Sequence, residues 1–162
     1  MRLLTDGMLG KLTRWLRILG HDVEYTGSMD DKELIQKTKK EDRVLLTRDV
    51  ELYKQAIAKG AEAFLLENPN QTANLASLAR RFNLRLEVNV EISRCPKCNG
   101  TIRTVSKTAV AEKIPATTSS NYNDFWQCQQ CGQVYWHGAH WDRIEKTLDD
   151  ARKALAAQKA DS

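Results

Sequence analysis

"VLLTRDVELY" spans residues 44 to 53, and how it is read decides the fold. Three apolar residues and a threonine read as a strand, and a helical pattern begins directly after Arg48 and Asp49. Asp49 therefore stands where an apolar strand ends. A carboxylate in that position either caps the following helix or holds a metal at the edge of a sheet.

The flanking sequence extends the pattern in both directions. Upstream, "RLLT" at residues 2–5 is a strand, Met8 to Leu19 a helix closed by Gly20, and "DVEYT" at 22–26 a second strand. A second helix runs from Asp30 to Glu41 and leads into "RVLLT" at 43–47. Downstream come a helix to Ala58, a strand "AEAFLL" at 61–66, a helix from Thr72 to Phe82, and a fifth strand "RLEVNV" at 85–90. Strands and helices that alternate through short links predict an α/β fold, a mainly parallel sheet flanked by helices. Ligands of such sheets bind at the carboxyl ends of the strands.

The character changes after Ile92. Residues 93–140 carry all four cysteines, in two C-x-x-C pairs, Cys95/Cys98 and Cys128/Cys131. Each pair lies in a knuckle, and two knuckles together supply the four thiolates of a tetrahedral structural Zn²⁺ site. The gap from residue 99 to 127 exceeds the ~15–20 residues common in such sites. The polar, unpatterned stretch Lys107 to Asp124 absorbs the excess and reads as a mobile loop. A pair of disulfides is disfavoured without an export signal, and a redox C-x-x-C leaves the matched second pair unexplained. With four cysteines available, His137 and His140 read as surface or packing residues. From residue 141 to 162, Trp141, Ile144, Leu148, Ala151 and Leu155 form one helical stripe, followed by a fraying tail. The sequence thus divides into 1–92, 93–140 and 141–162.

Composition excludes some functions. With 41% apolar and 28% charged residues the chain builds a packed core, and no stretch has the apolar length of a membrane span. A cytoplasmic protein is the expectation. Its net charge of +4 permits an acidic partner such as RNA without requiring one.

Three acids share the carboxyl edge of the expected sheet: Asp6 after the first strand, Asp49 after the third, and Asp31 at the start of the second helix. Carboxylates without cysteine or histidine prefer hard cations, Mg²⁺ or Mn²⁺, which activate water against a phosphodiester. The competing reading makes them helix caps, with Ser28 of "SMDD" capping the second helix. On the first helix, Met8, Leu12, Trp15, Leu16 and Leu19 form the expected buried stripe. Lys11, Arg14 and Arg17 fall outside it, and Arg48 adjoins Asp49. Each is a candidate phosphate-binding cation or simply part of a solvated face.

Taken together, "DGMLGKLTRWLRILGHDVEY", "DDKELIQKTKKEDRVLLTRD", "RCPKCNG" and "FWQCQQCGQVYWHGAHW" resemble the Mut-seven C-terminal RNase family over about residues 1 to 145. The resemblance implies a PIN-like nuclease domain followed by a zinc ribbon, acting as a metal-dependent ribonuclease. It makes Asp6, Asp31 and Asp49 catalytic acids. PIN-like nucleases use about four acids, one on a helix after the first strand. Here "GMLGKLTRWLRILGH" contains none, so the further place falls to Asp30, to another group, or to no residue at all. A response-regulator receiver is disfavoured, since Asp6 lacks an acidic neighbour and "RLEVNVEIS" has no lysine. The remaining alternative is an RNA- or ribonucleoprotein-binding module without catalysis. Trp126, Tyr135 and Trp136 would then stack on bases, although in so small a module aromatic rings more often fill the core.

Overall fold

The computed structural model describes residues 1–161. Four parallel strands form the main sheet: β1 (Arg2–Asp6), β2 (Asp22–Thr26), β3 (Val44–Thr47) and β4 (Ala63–Leu65), in the order β2-β1-β3-β4. All of β3 and all of β1 beyond Arg2 are buried, as expected for central strands covered on both sides. Successive side chains of a strand point to opposite faces. Leu3 and Leu46 accordingly enter one apolar cluster, and Leu4 and Leu45 the other.

Helices α1 (Gly10–Ile18) and α4 (Gln71–Phe82) cover the first face through Leu12, Leu16, Leu75 and Leu78. Helices α2 (Asp31–Lys40) and α3 (Val50–Ala58) cover the second through Leu34, Ile35, Leu52 and Ala56. The chain steps from β1 to β2 in one direction and from β2 to β3 to β4 in the other. Right-handed crossovers then place α1 opposite α2 and α3. At the amino edge, the buried Arg43 guanidinium donates to Leu3 O, the Asp22 carboxylate and Glu41 Oε2, tying the first three strands together.

The second sheet is antiparallel: β5 (Ile102–Val105), β6 (Phe125–Cys128) and β7 (Val134–Trp136). The last helix, α7 (Ala139–Ala160), packs on α4. It sends Leu148 and Ala151 into the core of the first sheet, with Ile144 and Leu155 alongside. Among the described residues, no helix is long and apolar enough to cross a membrane.

Three expectations are corrected. The fifth strand does not form. After α4 ends on Asn83 in the left-handed conformation, residues 84–90 run across the core face, where Leu84, Leu86 and Val88 are packed. The Arg152 side chain takes the Leu86 carbonyl that a ladder would have used, so apolar alternation here serves burial without pairing. The stretch 107–124 is ordered as α5 (Lys107–Val110), a 3-10 turn (Ala111–Lys113) and α6 (Ala116–Asn121). Its Val110 and Ile114 reach into a small core with Phe125 and Val134. Two apolar residues are enough to dock a polar stretch. Finally, Met8 is 72% exposed, because α1 starts at Gly10 and Leu9 fills the buried place.

Candidate functional site

Strand order reverses between β1 and β3, and the crevice outside the carboxyl ends of those two strands is the switch point of the sheet. Asp6 is the last residue of β1, and Asp49 lies two residues past the end of β3. Asp6 is buried. Its Oδ1 accepts from Met8 N at 2.9 Å and its Oδ2 from the Thr47 hydroxyl at 2.6 Å. The same hydroxyl accepts from Asp49 N at 3.0 Å. The turn after Asp6 is tight: a Cβ on Gly7 would stand 2.7 Å from Gly27 O in the turn after β2. A side chain there would push apart the two turns that hold Asp6 in place.

Asp49 does cap α3, its Oδ1 accepting from Glu51 N at 2.9 Å and Leu52 N at 3.2 Å. Both bonds use one oxygen, so capping and metal ligation are compatible. Helix α2 is capped by Asp30, which accepts from Glu33 N at 2.9 Å, in place of the expected Ser28. Asp31 lies exposed in its first turn. Among the described residues, the acids do not gather as three potential metal ligands around one point; only the cysteines do. The oxygen donors at the switch point nevertheless have the chemistry that Mg²⁺ or Mn²⁺ takes, with no sulfur or imidazole among them.

Of the candidate cations, Lys11, Arg14 and Arg48 are exposed. Arg17 is not: it is 8% exposed, and its guanidinium donates to Val23 O at 2.9 Å and to Pro96 O at 3.1 Å. It joins α1 to the first cysteine knuckle, which removes it from the set of free phosphate-binding cations. Asn99 works beside it, donating to Asp22 Oδ1 at 2.8 Å and accepting from Val23 N at 3.2 Å.

The four cysteines converge, with all Sγ atoms within 4.8 Å of one another. Cys95 and Cys131 sulfurs are 3.7 Å apart, those of Cys98 and Cys128 3.4 Å. Thiolates ~2.3 Å from a tetrahedral zinc ion would be about 3.8 Å apart, so the set fits that metal. The two knuckles repeat one geometry. Asn99 N bonds to Cys95 O and Gly132 N to Cys128 O, with Asn99 at φ 70° and Gly132 at φ 80°. Gly100 has no room for a Cβ, which would meet Cys128 Sγ at 2.8 Å and Cys98 Sγ at 3.1 Å. Tyr135 Oη lies 2.9 Å from Cys95 Sγ, and burial together with that sulfur pushes the phenol pKa up, keeping it a proton donor. His137 and His140 are not among the gathered ligands.

Sequence reasoning missed Thr47, Asn99 and Tyr135 as site-building residues. Thr47 had a signal, since it stands at the strand end between two acids that the fold brings together. Asn99 and Tyr135 act through contacts distant in sequence and had none.

Fold and site together define an α/β protein with an acidic switch point and a four-cysteine centre suited to zinc. The model of the family described as Mut7-C RNAse domain matches residues 1–148, and the chain belongs to that family. No curated protein and no solved structure matches it.

Proposed function

We propose that this chain is a divalent-metal-dependent ribonuclease that cleaves RNA phosphodiester bonds at the switch point of the parallel sheet. The observation that supports this reading is the Asp6–Thr47–Asp49 link, which ties the Asp6 carboxylate to the Asp49 backbone beside the crevice where ligands of such sheets bind. Membership in a family described as an RNase domain points to the same chemistry.

Asp6 and Asp49 would hold the cation, with Asp31, or Asp30 beside it, completing the set once substrate is present. The cation, when bound, supplies an activated water and offsets charge on the leaving oxygen. Thr47 holds the Asp6 carboxylate in one orientation, so a ligand oxygen is already placed before substrate arrives. Arg48, Lys11 and Arg14 offset the repulsion between the acids and the phosphates of RNA. Residues 1–92 would carry this chemistry, and the ribbon at 93–140 would hold the fold and help position RNA. Cysteines gathered as metal ligands suit a reducing compartment, which favours a cytoplasmic enzyme.

A second reading has two observations in its favour: Asp30 and Asp49 both cap helices, and among the described residues no three acids gather. In that reading the chain binds RNA without cutting it. Cleavage of a mixed panel of structured and single-stranded RNAs separates the two. Wild type and Asp49→Asn are compared in Mn²⁺, in Mg²⁺ and in EDTA, with zinc content measured in each. Metal-dependent cutting that disappears in zinc-loaded Asp49→Asn supports the nuclease. Equal RNA binding with no cutting by either protein overturns it.

A further inference from the structure

A cleft of about 580 Å³ opens between α1, the segment around residues 88–96, the β6–β7 hairpin and the first turn of α7. Its volume falls among those of small-molecule sites, ~300–1,000 Å³. Trp126, His137 and Trp141 line it as one column of rings. Trp126 and His137 centroids are 4.6 Å apart with planes at 26°, and His137 and Trp141 are 3.8 Å apart at 20°.

These rings are not used by the core. Phe125, Tyr122 and Trp136 build the apolar centre of the second sheet, and the Tyr135 hydroxyl lies on Cys95 Sγ. Trp126 and Trp141 belong to none of the three apolar clusters. Around the rings stand Arg14, Arg94 and His140, with no Asp or Glu in the lining. Among the described residues neither arginine forms an ion pair, and Arg94 gives only Nη1 to Asn99 O. A column of flat rings edged by cations outside any ion pair is complementary to a flat, hydrogen-bonding ring carrying a phosphate.

We infer that this cleft holds a nucleobase of single-stranded RNA, stacked on an outer end of the Trp126–His137–Trp141 column, with a neighbouring phosphate on Arg14. The inference rests on the reading of RNA as substrate and assigns that substrate a second point of attachment. The path between the two points is on one helix. Lys11 and Arg14 are exposed and three residues apart on α1, which starts beside Asp6 and runs toward the ribbon. Arg17, the next cation at that spacing, is taken by the knuckle, so the row of free charge ends where the cleft begins. A strand cut at the switch point is thus held along α1 and anchored by one stacked base, which favours unpaired RNA over duplex.

The test uses the zinc-loaded full chain without added Mg²⁺ or Mn²⁺, so that nothing is cleaved. Adenosine monophosphate and a 2′-O-methyl hexanucleotide are titrated while tryptophan fluorescence is read, for wild type, Trp141→Leu and Arg14→Gln. Zinc content and unfolding midpoint are recorded for each. Expected are quenching of the wild type by both probes and at least about tenfold weaker hexanucleotide binding in both variants. Arg14→Gln also lowers the salt slope of binding by about one. Arg14→Gln lies on an exposed helix face, so the test stands even where Trp141→Leu fails to fold. Unchanged affinity in a folded, zinc-loaded Arg14→Gln overturns the inference. So does absence of wild-type quenching, or equal quenching by a glutamate-rich peptide. Binding that behaves as expected in a protein that cuts no RNA sustains the cleft and removes the nuclease alone.

Discussion

Asp6 and Asp49 are joined through a single hydroxyl: Thr47 Oγ1 donates to Asp6 Oδ2 at 2.6 Å and accepts from Asp49 N at 3.0 Å. Thr47 is fully buried, so no solvent replaces this bond when it is lost. In Thr47→Val the Asp6 carboxylate loses one of its two donors. We expect a stability loss of about 1–3 kcal/mol by denaturant titration and a larger fall in RNA cleavage than in RNA binding. Thr47→Ser keeps the hydroxyl and should recover most of both. A Thr47→Val protein as stable as wild type would show that the link carries no weight.

The two roles of Asp49 come apart by substitution. Asn accepts from Glu51 N and Leu52 N as Asp does, whereas Ala cannot. Asp49→Ala should lose about 1 kcal/mol of stability and Asp49→Asn only a few tenths. On the nuclease reading, both lose cleavage to the same extent, because both lose the charge. Cleavage that follows stability across the pair would make Asp49 a cap and nothing more.

Much of the fold is legible in the sequence. The apolar runs at Leu3–Leu4 and Val44–Leu46, each followed by a helical pattern, specify buried parallel strands. The two C-x-x-C pairs specify their own convergence through spacing alone. Illegible were features decided by partners distant in sequence. Residues 85–90 alternate like a strand, and only their packing on the core, with Arg152 of α7 on the Leu86 carbonyl, shows that the alternation serves burial. Arg17 has the spacing of a solvated face. Its burial depends on Pro96, 79 residues away, whose carbonyl no periodicity announces. Strand ends alone put Asp6 and Asp49 at one edge of the sheet, whereas the hydroxyl that connects them depends on the register of β1 against β3.

Removal of zinc should separate the two sheets in stability. The second sheet has a core of four buried residues, too small to hold without the cysteine centre. Gly100→Ala places a methyl 2.8 Å from Cys128 Sγ, so we expect it to lower zinc content in parallel with Cys128→Ser. Metal analysis and near-ultraviolet dichroism of the ribbon tryptophans check this. The main sheet should keep most of its far-ultraviolet signal under a chelator. A chelated protein with unchanged tryptophan signals would count against a structural metal.

The charge network at the amino edge of the sheet predicts an acid limb. Hydrogen bonds from Lys37 and Arg43 hold the Glu41 carboxyl down, from an ordinary value of 4.5 to about 2. The folded form therefore binds the proton less readily than the unfolded chain does. Its contribution is fully present above pH ~4.5 and is lost as pH falls toward 2. Arg43→Met leaves Leu3 O, the Asp22 carboxylate and Glu41 short of a donor, and we expect a cost of about 2–3 kcal/mol at pH 7. Since Glu41 then titrates nearer its ordinary range, the gap between variant and wild type should narrow as pH falls from about 5 to 2. Urea unfolding at intervals across that window reads the gap directly. A constant difference would place the role of Arg43 in its bond to the Leu3 carbonyl and in packing, with no share in holding Glu41 ionised.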